Sequence, residues 1–146
     1  MSLNISKIKN SLSVIILCGG AGQRLRPLTE KVPKPLIKIK NKTIIEYIIN
    51  HFYNYKIENI IIATGYKHKL LKQFINKKYK NKKIRVLNTG LKAEIIKRIE
   101  KISNHLNENV ILCYGDTLVD ININKLIQFY LKDKNKFIVS SYQLKS

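Results

Sequence analysis

The sequence predicts an α/β fold in which a mostly parallel sheet carries helices on both faces. Two observations predict it. Short β-branched runs alternate with longer segments of helical period, and the alternation repeats four times along the 146 residues. No repeat, low-complexity tract or linker interrupts it, so a single domain covering 13–146 is expected, after an N-terminal extension over 1–12.

Each element has its own warrant. Strands are expected at 14–18, 59–64, 84–87, 110–114 and 137–142, where β-branched and aromatic residues cluster. The spacing predicts a helix over 43–55, with Ile44, Ile45, Ile48, Ile49 and Phe52 on one face. A second, over 69–79, carries Leu70, Leu71, Phe74 and Ile75. A third, over 92–106, carries Ile95, Ile96, Ile99, Ile102 and Leu106. The last, over 122–132, carries Leu126, Ile127, Tyr130 and Leu131. These stripes are core faces with no further chemistry. In such a sheet ligands sit beyond the carboxyl ends of the strands, near the switch point, so the loops after strands matter most.

Composition bounds the rest. Hydrophobic residues make up 45%, enough for a core, which excludes wholesale disorder. The net charge is +19, yet 24 of the 28 basic residues are Lys. With 25 Ile, 15 Asn and 3 Ala, this is the residue usage of adenine- and thymine-rich codons. A specific nucleic-acid surface favours Arg, whose planar fork reads phosphate and guanine bidentately. Aromatics interleaved with a basic stripe are also lacking, because Tyr47, Phe52, Tyr55 and Phe74 fall mostly on core faces. No specific nucleic-acid partner is expected. Lys67 to Lys83 mostly decorate one helix and its exit, as a solvated face. Cys18 and Cys113 each end an apolar run and read as buried free thiols in a reducing compartment. No run approaches the length of a membrane span, and no signal peptide opens the chain. A cytoplasmic protein without a membrane partner is expected.

Two segments carry chemistry. The first strand runs into Cys18-Gly19-Gly20-Ala21-Gly22-Gln23-Arg24-Leu25-Arg26. Glycines there let the backbone turn sharply and aim several N–H groups at an anion. Read alone, the segment is equally a plain strand-to-helix turn. It is neither of two common phosphate loops. No Gly-Lys-Ser/Thr follows, and Leu25 stands where the dinucleotide fingerprint needs its third glycine. The second segment is Val32-Pro33-Lys34-Pro35-Leu36, where two prolines stiffen the backbone around one lysine and fix its direction. His51, His68 and His105 lie on separate segments with no ligand at zinc spacing.

Taken together, Leu17 to Leu25, Pro27-Leu28-Thr29 and Pro33-Lys34-Pro35-Leu36 resemble the signature of the sugar-phosphate nucleotidyltransferases. The resemblance continues through Ile44-Ile45-Glu46-Tyr47, Ile61 to Tyr66, Thr89-Gly90 and Tyr114-Gly115-Asp116 to Asn122, with Gln23 where that family usually has Thr. The Cys113-Tyr114-Gly115-Asp116 stretch, and Arg98 after Thr89-Gly90, are most similar to the glucose-1-phosphate cytidylyltransferase branch. The resemblance implies a Rossmann-like sheet of the nucleotide-diphospho-sugar transferase type. It implies transfer of a nucleotidyl group from a nucleoside triphosphate, CTP in that branch, to a sugar 1-phosphate, supplying precursors of surface polysaccharides. Arg24 and Lys34 would be catalytic; Leu17, Gly19, Gly20, Ala21, Gly22, Gln23, Thr89, Gly90 and Gly115 would bind nucleotide; Asp116 would bind Mg²⁺. Asp120 reads as a helix cap or a water-mediated metal partner. Family members run on past the point matching Ser146, so the domain is expected to be cut short at its C-terminus. Its open edge near Phe137, Val139 and Tyr142 would invite self-association. A nucleotidyltransferase for a non-sugar phosphate or alcohol, or a non-catalytic nucleotide-binding module, remains an alternative.

Overall fold

A computed structural model describes residues 2–132 and 137–141. Its elements run α1 (Ser2–Asn10), β1 (Leu12–Cys18), α2 (Leu28–Lys31), β2 (Lys38–Ile39), β3 (Lys42–Thr43), α3 (Ile44–Asn54), β4 (Ile60–Thr64), α4 (His68–Lys78), β5 (Ile84–Asn88), α5 (Ile95–Ile102), β6 (Asn109–Tyr114) and α6 (Ile123–Lys132). Three short 3₁₀ turns lie at Gln23–Leu25, Lys34–Leu36 and Ser103–His105.

Four strands form one sheet in the order β5-β4-β1-β6, and every pairing in it is parallel. β1 is central and wholly buried, which explains why it reads as a continuous apolar run instead of an alternating one. Val14 pairs with Ile60 on one side and Ile111 on the other. One face packs Val14, Ile16, Ile60 and Ile62 against Ile45, Ile49 and Phe52 of α3, Leu71 and Ile75 of α4, and Ile123 and Ile127 of α6. The opposite face packs Ile15, Leu17, Ile61 and Ala63 against Ile102 of α5. Helices therefore cover both faces, as expected. β2 and β3 add a separate two-residue hairpin.

The expected helices form with shifts at their ends; in the third, Ile99, Ile102 and Leu106 face the core as expected, but Ile95 and Ile96 do not. Ile95 and Ile96 are 41% and 70% exposed, while Arg98 and Ile102 are buried. The helix begins only at Ile95, and from there residues 98, 99 and 102 face the sheet. The expected N-terminal extension forms α1, whose Ile5 and Ile8, one turn apart, pack on the main core. The strand expected at 137–142 does not form over 137–141, where Phe137 is 81% exposed; Tyr142 lies outside the described residues. β6 is consequently an edge of the described sheet. Its residues Val110, Leu112 and Tyr114 are exposed and alternate with the half-buried Ile111 and Cys113. Asp120 does not cap α6; the Asn122 side-chain oxygen does, accepting from the Lys125 N–H at 3.1 Å.

α3 starts with a reciprocal cap. Thr43 N–H donates to Glu46 Oε2 at 2.8 Å, and Glu46 N–H donates to Thr43 Oγ1 at 3.4 Å. Lys78 Nζ lies 3.2 Å from the other Glu46 oxygen, tying α4 to α3. Burial pushes the Glu46 carboxyl up, but the Thr43 and Lys78 hydrogen bonds outweigh it and hold it below the usual glutamate range. A carboxylate lowered by folding stabilises the fold above its unfolded value of ~4.3. That contribution fades as pH falls through the lowered folded value. Glu46→Ala should therefore cost about 0.5–2 kcal/mol near neutrality, the range for a lost helix cap. The gap to wild type should narrow in urea titrations at pH 3, whereas an equal gap at both pH values would contradict this account.

Candidate nucleotide-binding site

Because the four strands run parallel, the loops that leave them share one rim of the sheet. From β1 the chain moves out to β4 and β5, then returns to β6 on the other side of β1. The loops after β1 and β6 thus part at a switch point, which opens a crevice. A cleft of about 790 Å³ lies there. Leu17 and Cys18, Gly20 through Leu25, Lys34 and Pro35, and Gly115 and Asp116 line it.

The β1 loop is shaped to present donors. Gly22 has φ +63°, and a Cβ there would meet Thr29 Cγ2 at 2.9 Å, so both conformation and space require glycine. The loop then tightens into the 3₁₀ turn, with Leu25 N–H donating to Gly22 O at 2.9 Å. Thr29, 1% exposed, donates its hydroxyl to the same Gly22 carbonyl at 3.0 Å. Tyr66 donates its hydroxyl to Thr29 O at 3.0 Å, and its N–H donates to Gly19 O at 3.1 Å. These contacts engage the carbonyls of Gly19 and Gly22 and tie the loop to Thr29 and Tyr66. Among the described residues, no acceptor takes the N–H groups of Gly20, Ala21, Gly22 or Gln23. A run of N–H groups without protein acceptors has the chemistry that an anion nest requires.

The charged groups stand around that nest. Arg24 is exposed and has no carboxylate partner among the described residues. Lys34 projects from a turn whose flanking Pro33 and Pro35 are both buried, so its backbone is anchored on both sides. Its Nζ meets Asp116 Oδ2 at 2.6 Å across the cleft, joining groups 82 positions apart in the chain. Lys34 and Asp116 are 32% and 38% exposed at their side chains, so the pair adds at most ~1 kcal/mol of stability. The two cysteines are free. Burial pushes the Cys18 thiol well up and the Cys113 thiol up to about 12, so both stay protonated packing groups and not nucleophiles.

The structure therefore gathers Leu17, Gly20, Ala21, Gly22, Gln23, Arg24, Lys34, Gly115 and Asp116 on one cleft, with Gly19 buried behind the loop. Thr89 and Gly90 do not line it. Thr89 is 1% exposed, and its hydroxyl donates to Thr64 O at 2.7 Å. Thr29 and Tyr66, which hold the loop, carry no sequence signal beyond their place in the motifs, because their partners are backbone carbonyls.

The family model described as nucleotidyl transferase matches residues 13–145. This chain belongs to the nucleotidyl transferase family. It is 32% identical over 127 residues to a D-glycero-alpha-D-manno-heptose 1-phosphate guanylyltransferase of Aneurinibacillus thermoaerophilus, covering 84% of this chain and 54% of that protein. It is 29% identical over 141 residues to a probable glucose-1-phosphate cytidylyltransferase of Bacillus subtilis, covering 82% of this chain and 56% of that protein. Among solved structures it is similar to a CTP:phosphocholine cytidylyltransferase of Streptococcus pneumoniae. That match has a TM-score of 0.65 at 29% identity and covers 79% of this chain and 50% of that one. The chain thus spans about half the length of the relatives it matches.

Among the charged side chains that line the cleft, Arg24 is the exposed one without an ion-pair partner among the described residues. Arg24→Ala should weaken triphosphate binding by about 1.5–3 kcal/mol, the range for hydrogen bonds to charged groups. Thermal stability should stay unchanged, since Arg24 is exposed and makes no ion pair among the described residues. Calorimetry showing equal affinity in the variant for all four triphosphates would remove Arg24 from the site.

Proposed function

We propose that this chain forms the nucleotide-binding part of an enzyme that transfers a nucleotidyl group from a nucleoside triphosphate to a sugar 1-phosphate. One observation carries the reading. Four free N–H groups, Arg24, Lys34 and Asp116 converge on a single cleft at the switch point of a parallel sheet. That set neutralises a polyphosphate without offering a nucleophile or a general base, which suits phosphoryl-group chemistry driven by positioning and charge.

The Gly20 to Gln23 nest and Arg24 would hold the triphosphate. Lys34, fixed by its two prolines, would sit at the α-phosphate and stabilise charge there. An oxygen of the acceptor phosphate attacks the α-phosphorus in line. The new P–O bond forms as the bond from the α-phosphorus to the bridging oxygen breaks, and pyrophosphate leaves with that electron pair. Asp116 suits Mg²⁺, a hard cation held by one or two carboxylates together with phosphate oxygens and water. No group of three ligating side chains occurs among the described residues, so the donor set fits a metal that arrives with the triphosphate. Bound there, Mg²⁺ would neutralise phosphate charge as the transfer proceeds. Lys34 and Asp116 neutralise each other at 2.6 Å; a bound metal and phosphate would give each a counter-charge of its own.

We assign CTP as the triphosphate. This is supported by the stretch Cys113 to Asp116 and by the similarity to two cytidylyltransferases, one of Bacillus subtilis and one of Streptococcus pneumoniae. The guanylyltransferase relatives make GTP the competitor. The phosphocholine enzyme favours a second reading of the acceptor, a phosphorylated alcohol in place of a sugar 1-phosphate.

The test is calorimetry of each of the four triphosphates with and without Mg²⁺. CTP should bind most tightly and Mg²⁺ should strengthen it. Asp116→Asn should remove the Mg²⁺ enhancement while leaving the fold intact. Absence of binding by every triphosphate would overturn the function; preference for GTP would overturn the base alone; an unchanged Mg²⁺ response in the variant would move the metal elsewhere.

A further inference from the structure

Arg98 is a basic residue in the core with no acid beside it. It lies on the sheet-facing side of α5 and is 6% exposed. The three ion pairs among the described residues join Lys34 to Asp116, Lys78 to Glu46 and Lys97 to Glu100; none involves Arg98. Burying an unpaired charge is costly, so its surroundings should explain it.

Those surroundings are the loop roots behind the nucleotide cleft. Arg98 Nη1 donates to Thr64 O at 3.2 Å, to Gly90 O at 2.8 Å and to the Thr89 hydroxyl. Nη2 donates to Leu91 O at 3.2 Å. One turn on, Lys101 Nζ donates to Thr89 O at 2.8 Å. The β1 loop rests directly on the guanidinium, because a Cβ added to Gly19 would lie 2.0 Å from Arg98 Cζ. The planar fork thus meets the exits of β1, β4 and β5 at once, which a point-charge ammonium cannot do. Every partner is a neutral oxygen, so its positive charge is left uncancelled directly behind the anion nest.

We propose that Arg98 is a positioning residue for the nucleotide, locking the Gly19 turn against the β4 and β5 loops and lending its charge to the polyphosphate from behind. The inference rests on the nucleotide reading of the cleft. It also gives Thr89 and Gly90 a place: they hold Arg98 and so act on the site without lining the cleft.

A purely structural Arg98 would affect stability and leave nucleotide discrimination alone. The experiment therefore measures both, in the full chain, by thermal unfolding and by calorimetry with CTP, GTP and the unphosphorylated nucleosides. Wild-type binding of a triphosphate is the entry condition; if no triphosphate binds, the cleft reading and this proposal fall together. Arg98→Met should weaken triphosphate binding by about tenfold, the order expected for losing a through-space charge attraction close to a protein surface. Nucleoside binding should change less, so the triphosphate-to-nucleoside ratio falls. Arg98→Lys should recover part of that ratio through its charge. Gly19→Ala should weaken binding alone but add nothing in Gly19→Ala/Arg98→Met, where the guanidinium that the new methyl meets is gone. If Arg98→Met does not fold, the Arg98→Lys ratio decides. A triphosphate-to-nucleoside ratio equal to wild type in folded Arg98→Met, or in folded Arg98→Lys where Arg98→Met does not fold, would overturn the proposal while the cleft reading stands.

Discussion

Parallel pairing is the constraint from which the rest of this molecule follows. β1 is paired in the same direction on both sides, from Val14 with Ile60 to Leu12 with Asn109. Parallel neighbours cannot be joined by tight hairpins, so each connection must cross a face of the sheet, and the helices sit where those crossings run. Parallel pairing also sends every exit loop to the same rim. Residues as distant in the chain as Gly20, Lys34 and Asp116 consequently share one cleft without any long-range signal between them in the sequence.

Much of this was legible because it depends on periodicity. The buried runs of β1 and β4 and the capped start of α3 lie within a residue or two of their expected ends. What was not legible depends on polar groups satisfied from afar. β1 begins two residues early because Ser13, 0% exposed, accepts from Asn59 Nδ2 at 2.8 Å and Asn107 N–H at 2.7 Å. An apolar-run criterion stops at such a serine. Arg98 was visible only through the family resemblance: it shares a helix face with Ile102, four residues on, but a charge criterion assigns an arginine to solvent. Only the carbonyls of three separate loops make its burial tolerable.

The candidate site divides along similar lines. The glycine loop with Arg24 and the Lys34 turn were visible as short motifs with a local physical reason, Asp116 through the family resemblance, and the fold collects them on one cleft. Thr89 and Gly90 were visible as well, but their hydrogen bonds run to the scaffold beneath the loop, through Thr64, Asn88 and Arg98. Motif membership does not separate a residue that touches a ligand from one that holds up those that do; the direction of its hydrogen bonds does.

The two sides of the cleft also differ in how firmly they are anchored. The glycine loop hangs from β1, which neighbours support on both sides and which is buried throughout. Asp116 follows β6, which has one paired side among the described residues and alternates between half-buried and exposed. Local opening takes less free energy at an edge than at the centre of a sheet. The glycine-loop side is thus an anvil, and the carboxylate side is a jaw whose set depends on whatever braces the outer flank of β6. Mechanical compliance is concentrated on Asp116, and a brace on that flank would tighten the cleft without touching any residue that lines it.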